Sequence, residues 1–187
     1  MNRFSESDLN WMRQALALAR RAEGMTRPNP PVGAMVVKNG KKIGQGWHKK
    51  AGGPHAEVFA LRQAGTNAKG ATLYVTLEPC STFGRTPPCT EAVIRAGIAR
   101  VVVGATDPNP RHAGRGLRLL RKAGIQVDAG ACAGEAADLI APFACHMLRQ
   151  RPFFTLKLGL SLDGRIADHT HSSRWITGPE ARAEVQA

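Results

Sequence analysis

TLYVTLEPCSTFGRTPPCTEAVIRAGIARVVVG, residues 72–104, opens on a β-branched and aromatic run and closes on another. The runs at 72–77 and 100–104 predict strands, the second of them buried, and CTEAVIRA at 89–96 predicts a helix between them. Strand, helix, strand is the repeating unit of a layered α/β sheet. Downstream the alternation continues with a helix at 116–123, a strand at 125–128 and a helix at 134–150. Upstream, HAEVFALRQA at 55–64 predicts a helix that Gly65 closes. VGAMVV at 32–37 suits a strand buried on both faces, and Asn39-Gly40 predicts a hairpin return through 41–47. At the start, Leu9, Met12, Leu16 and Ala19 stand three and four residues apart, predicting an amphipathic helix over 7–23 with Ser5 or Ser7 as N-cap and Gly24 at its end.

The character changes at Arg151. Pro152 punctuates, FFTLKL at 153–158 predicts a fresh strand, and a helix begins at 179. Residues 151–187 are too few to close a second core. The reading is therefore one domain over 1–150 and an incomplete second over 151–187, from a larger parent protein.

The chain has 187 residues, 43% of them apolar, enough for a core of ordinary size and against disorder. No window approaches the roughly 18 apolar residues of a membrane span, and MNRFSESD lacks the apolar stretch of a secretory signal. A cytoplasmic protein without a membrane partner is expected. The formal charge is +12, from 26 Lys and Arg against 14 Asp and Glu. Lys38, Lys41, Lys42, Lys49 and Lys50 cluster without the interleaved aromatics of a stacking platform, so they read as a solvated basic face and no nucleic-acid partner is expected.

Four cysteines without an export signal point to metal ligands or buried thiols. Cys132 and Cys145 lie in an Ala-rich stretch and suit small core positions. Cys80 and Cys89 occupy a loop with little core to fill. With His55 at a helix start they offer one imidazole and two thiolates, a three-ligand set for zinc with a fourth position open to water. Glu57, two residues past His55, would point to another side of the helix, free to take a proton from that water and pass it to a leaving amine. An H-x-E followed by P-C-x-x-C describes zinc deaminases; here eight residues, not two, separate Cys80 from Cys89. Taken alone, His55 reads equally as a core or capping histidine. A structural zinc site with His48 as fourth ligand competes with the catalytic reading.

The motifs LEPCS (77–81), GRTPPC (84–89) and GPHAE (53–57) closely resemble the pyrimidine deaminase of riboflavin biosynthesis, a family that usually joins this deaminase to a C-terminal reductase. The likeness extends through PNPPVG (28–33), DPNP (107–110) with GRG (114–116), and LKLG (156–159) with SLDGR (161–165), almost the whole chain. It implies a three-layer α/β/α cytidine-deaminase-like mixed sheet followed by the start of a dihydrofolate-reductase-like α/β domain. The implied reaction is hydrolytic deamination of 2,5-diamino-6-ribosylamino-4(3H)-pyrimidinone 5′-phosphate to 5-amino-6-ribosylamino-uracil 5′-phosphate. By position, one zinc ion per chain would be held by His55, Cys80 and Cys89, with Glu57 shuttling protons.

The same resemblance places Asn29 on the base, where an amide can both donate and accept, and His48 near the substrate. Arg85, or the Lys49-Lys50 pair, would meet the 5′-phosphate. In the reductase part Lys157 and Ser173 match substrate positions and Trp175 a dinucleotide contact. NADPH would serve the full-length parent only, so this chain is expected to deaminate without reducing. Thr82 and Phe83 stand where the family commonly has histidines, which bears on the pocket lining rather than the zinc set. The expected partner is a phosphorylated pyrimidine. Phe153, Phe154 and Leu156 leave an apolar strand that suits a second copy, so a homo-oligomer stays open. Two alternatives also stand: a deaminase of another nucleoside or tRNA base, and a catalytically silent zinc module.

Overall fold

The computed structural model describes residues 4–84 and 86–186. It divides into two compact units, Met1–Phe153 and Phe154–Ala187.

The first unit is built on one five-stranded sheet. In chain order come α1 (Glu6–Arg20), β1 (Gly33–Lys38), β2 (Lys41–Trp47), α2 (Ala56–Ala64), a 3-10 turn (Gly65–Ala68), β3 (Thr72–Leu77), α3 (Cys89–Arg95), β4 (Arg100–Ala105), α4 (Arg115–Lys122), β5 (Gln126–Ala129), α5 (Ala133–Leu139) and α6 (Ala141–Arg149). The strand order is β2-β1-β3-β4-β5. β1 runs antiparallel to both β2 and β3, whereas β3, β4 and β5 are parallel. It follows that β2, β3 and β4 all end at the same edge of the sheet.

Helices cover both faces, which is why the inner strands β1, β3 and β4 are rich in apolar residues and largely buried. Side chains alternate between two cores with the period of a strand. Ala34, Val36, Leu73, Val75, Val101 and Val103 pack with α2, α3 and α4. Met35, Val37, Tyr74 and Val102 pack with Met12 and Leu16 of α1 and Ala136 and Leu139 of α5. The three-layer arrangement is the expected one, down to the burial of β1 from Gly33 to Val37.

Two local features set how closely the layers approach. At Gly46 an added Cβ would lie 2.5 Å from the Phe59 Cβ and 2.6 Å from the Ala56 carbonyl oxygen. α2 therefore rests on bare β2 backbone. At the other face Ser5, not Ser7, caps α1, in a reciprocal pair with Asp8. Asp8 reaches further: it accepts from the Tyr74 hydroxyl at 2.8 Å and from Arg100 at 2.7 Å, and Arg100 also holds Asp128 at 2.8 Å. α1 is thus pinned to β3 and β4 by one buried carboxylate, with β5 joined through Arg100.

Two expected elements differ. The single helix over 134–150 is two, α5 and α6, broken at Ile140 with φ −100° and ψ 9°. Pro142 has no N–H to donate and is tolerated only in a first turn, so a new helix begins there. The strand expected at 153–158 does not form among the described residues. An apolar run becomes a strand only when another strand completes its ladder. The second unit instead consists of turns and bends followed by α7 (Pro179–Gln186). Among the described residues, no helix is long and apolar enough to cross a membrane.

Candidate metal centre and pocket

The edge at which β2, β3 and β4 end is where the chain leaves the sheet and α2, α3 and α4 begin. Crevices at the carboxyl ends of strands in open α/β sheets are the usual place for ligands. His55 is the N-cap of α2, Cys89 is the first residue of α3, and Cys80 lies three residues beyond β3. Pro54, Pro79 and Pro88 precede them, each stopping the extended chain just before a donor.

His55 Nδ1 stands 3.2 Å from Cys89 Sγ and 3.5 Å from Cys80 Sγ. The three donor atoms all lie within 4.8 Å of one another. Tetrahedral ligands with bonds of about 2.0–2.3 Å stand roughly 3.3–3.8 Å apart, so this nitrogen and these two sulfurs are close enough together to share one zinc ion. The Cys89 backbone N–H donates to Cys80 Sγ at 3.2 Å, as free helix-start amides favour thiolate. Hydrogen bonds from Cys89 and His55 hold the Cys80 thiol well below its usual range against the effect of burial. Cys89, donating to Cys80 and buried, is pushed up. The Cys80 hydrogen bond raises His55.

Glu57, the second residue of α2, is 3% exposed and opens on the same cavity. Burial first, and the neighbouring Cys80 charge second, push its carboxyl up to about 7. A carboxyl that binds a proton near neutrality is suited to taking one and giving it back.

Across the cavity Asn29 Nδ2 meets His48 Nε2 at 3.0 Å, and His48 Nδ1 meets the Pro54 carbonyl at 3.1 Å. A carbonyl only accepts, so Nδ1 carries the proton and the neutral ring accepts from Asn29 through Nε2. Burial favours that neutral form by lowering the His48 pKa. Both ring nitrogens are engaged within the protein. The Asn29 backbone is fixed by Thr26, whose hydroxyl donates to the Asn29 carbonyl at 2.9 Å.

Asn29, His48, His55, Glu57 and Cys80 line one cavity of about 400 Å³, within the range that holds a small ligand. Thr82, Asp107, Phe143 and Glu78 also line it. Phe143 is not singled out by the sequence, and Glu78 stands in the LEPCS motif without a role of its own. The helical period assigns Phe143 to a packed face, and nothing local to Glu78 announces partners far along the chain. Arg85 lies outside the described residues. Lys49 and Lys50 do not line the cavity; the Lys49 ammonium sits over the Trp47 and Phe59 rings, at 5.2 and 5.1 Å. In the second unit Ser173 and Trp175 share a shallow cavity of their own with Asp163 and Arg165, which Lys157 does not line.

A mixed sheet between two helical layers, with an imidazole and two thiolates gathered at the strand ends around a buried glutamate, is the build of a zinc-binding deaminase. The cytidine and deoxycytidylate deaminase zinc-binding region matches residues 5–105, and the chain belongs to that family. The RibD C-terminal domain matches residues 152–187. The chain is 58% identical over 177 residues to the riboflavin biosynthesis protein RibD of Aquifex aeolicus, covering 95% of this chain and 50% of that protein. It is 55% identical over 179 residues to RibD of Escherichia coli, covering 96% and 49%. Among solved structures it superposes on Acinetobacter baumannii RibD with a TM-score of 0.86 at 52% identity, covering 97% of this chain and 51% of that one. A diaminohydroxyphosphoribosylaminopyrimidine deaminase/5-amino-6-(5-phosphoribosylamino)uracil reductase from Thermotoga maritima gives 0.88 at 44% identity, covering 96% and 52%. The chain spans about half the length of the relatives it matches.

Proposed function

We propose that this chain deaminates 2,5-diamino-6-ribosylamino-4(3H)-pyrimidinone 5′-phosphate hydrolytically, giving 5-amino-6-ribosylamino-uracil 5′-phosphate and ammonia in riboflavin biosynthesis. The observation that carries this reading is the gathering of His55, Cys80 and Cys89 into one three-donor cluster that opens, through His55 and Cys80, on the cavity lined by Glu57 and Asn29. The high identity to RibD proteins supports the choice of substrate.

In this reading His55, Cys80 and Cys89 hold one zinc ion. When bound, zinc supplies Lewis acidity that makes water a nucleophile near neutral pH. Glu57 handles the protons: its buried carboxylate accepts one as water adds to the ring carbon bearing the amine, then delivers it to the departing nitrogen. Burial serves this role by bringing the affinity of Glu57 for a proton close to neutral pH. Asn29 holds the pyrimidine edge through its amide, and His48 keeps that amide in one orientation. Arg85 would meet the 5′-phosphate.

Residues 151–187 are, in the same reading, the start of a reductase domain. Reduction of the ribosyl group with NADPH is proposed of the whole protein, with Lys157 and Ser173 on substrate and Trp175 on the dinucleotide.

The test is ammonia release from the diamino substrate with elemental analysis on the same preparation, and cytidine and tRNA adenosine as comparison substrates. One zinc per chain and turnover of the diamino compound are expected. Preference for cytidine or adenosine would reassign the substrate. Zinc without turnover of any base would favour a silent zinc module.

A further inference from the structure

Glu78 directly follows β3 and is 6% exposed. Its carboxylate accepts four backbone N–H groups from the segment between β4 and the first turn of α4. Oε2 takes Asp107 at 3.2 Å and Gly114 at 2.8 Å; Oε1 takes Gly116 at 2.8 Å and Leu117 at 3.4 Å. The N-cap of α4 is Gly114, with φ 71° and no side chain to offer. Glu78 therefore caps this helix from a distant strand, placing negative charge where the helix start favours it.

The contact is close on both sides. A Cβ at Gly116 would strike the Pro79 carbonyl and stand 3.2 Å from Glu78 Oε1. The start of α4 thus bears directly on the two residues that lead into Cys80. At the far end of the tethered segment, Asp107 lines the cavity.

We propose that Glu78 is a positioning residue of the pocket. Itself at the edge of the cavity, it holds the 107–117 segment, which brings Asp107 into the cavity wall, against the turn carrying Cys80, so ligand binding depends on a carboxylate that contacts no reacting atom. This rests on the deaminase reading above. Cys80 has anchors independent of that carboxylate: its carbonyl accepts from Thr90 N at 3.1 Å and its sulfur from Cys89 N. The Glu78 backbone N–H is held by the Ala105 carbonyl at 2.9 Å. Changing the side chain should therefore move the wall and leave the metal ligands and Glu57 in place.

The experiment measures kcat, KM and zinc content for the wild-type chain and for Glu78→Gln, with the Gly114 and Gly116 amide proton shifts read by NMR. An amide in place of the carboxylate must turn one N–H₂ toward backbone donors. KM is expected to rise about tenfold or more, from lost charge-assisted hydrogen bonds, with kcat within about threefold. Zinc should remain at one per chain, and the two glycine amides should shift upfield. Should Glu78→Gln fail to fold, Gly116→Ala keeps the carboxylate and pushes α4 off Pro79, and the same rise in KM is expected. An unchanged KM in a variant that is merely less stable would overturn the proposal and reduce Glu78 to a helix cap. A fall in kcat with loss of zinc would also overturn it, by placing Glu78 in support of the metal. A wild-type chain without turnover would instead remove the deaminase reading, and the proposal with it.

Discussion

Asn29 donates its amide N–H to the Nε2 of His48 across nineteen positions of sequence, at 3.0 Å. Because the Pro54 carbonyl fixes the proton on Nδ1, the Asn29 amide has one orientation, with its NH₂ committed to the ring and its oxygen free for a ligand. Imidazole ¹⁵N spectra should show His48 neutral and protonated on Nδ1. Asn29→Ala should lower kcat/KM about tenfold to a hundredfold by removing a polar contact and leaving Nε2 unpartnered. A spectrum showing the proton on Nε2 would reverse the assigned orientation of the amide.

Glu57 is not among the three donors, and the proposed reaction gives it the protons. Glu57→Gln should lower kcat by about 10²–10⁴-fold while zinc stays bound. Elemental analysis beside single-turnover kinetics checks both halves, and loss of zinc in that variant would make Glu57 a ligand.

Cys80→Ser and Cys89→Ser should lose metal and stability together, since metal binding couples to folding. Chelation of the wild-type chain should lower its melting temperature and abolish turnover, and added zinc should restore both. An active, metal-free Cys89→Ser protein would refute the assignment.

The Asp8 seam should be visible in acid. Burial raises the pKa of this carboxyl, but donors from Arg100, Tyr74 and Ser5 outweigh it and hold it at about 2, against an ordinary 3.8. A folded value below the unfolded one gives stability that is present above the unfolded pKa and lost as pH falls through the folded one. Chemical denaturation between pH 5 and pH 2 should show that loss. Asp8→Asn should flatten the acid limb and destabilise the protein at pH 7 by about 1–3 kcal/mol. An acid limb of the same slope in the variant would place the sensitivity elsewhere.

What the sequence makes legible is what it encodes locally. Asn39 and Gly40 take φ of 51° and 70°, the tight hairpin that this pair favours, and β2 follows over the expected residues. His55, Cys80 and Cys89 are readable as a group because prolines and helix starts surround each one, and their donor atoms do converge. The role of Glu78 is unreadable although its motif is not, because its four donors lie 29 to 39 positions further on. Phe143 is silent because a helical period cannot say that α6 starts anew at Ala141 and turns this ring to the cavity. The run at 153–158 misleads for the opposite reason: its composition suits a strand, but a ladder needs a neighbour that composition does not supply.

The bare backbone of Gly46 beneath α2 limits how this pocket can be redesigned. His55 and Glu57 ride on a helix already in van der Waals contact with the sheet. No substitution from below can lift or tilt them without parting two layers of the core. A protein engineer seeking room for a bulkier heterocycle has to work at Thr82 and Phe143, lining residues that do not belong to α2, where trimming a side chain leaves the Glu57 carboxylate where it stands.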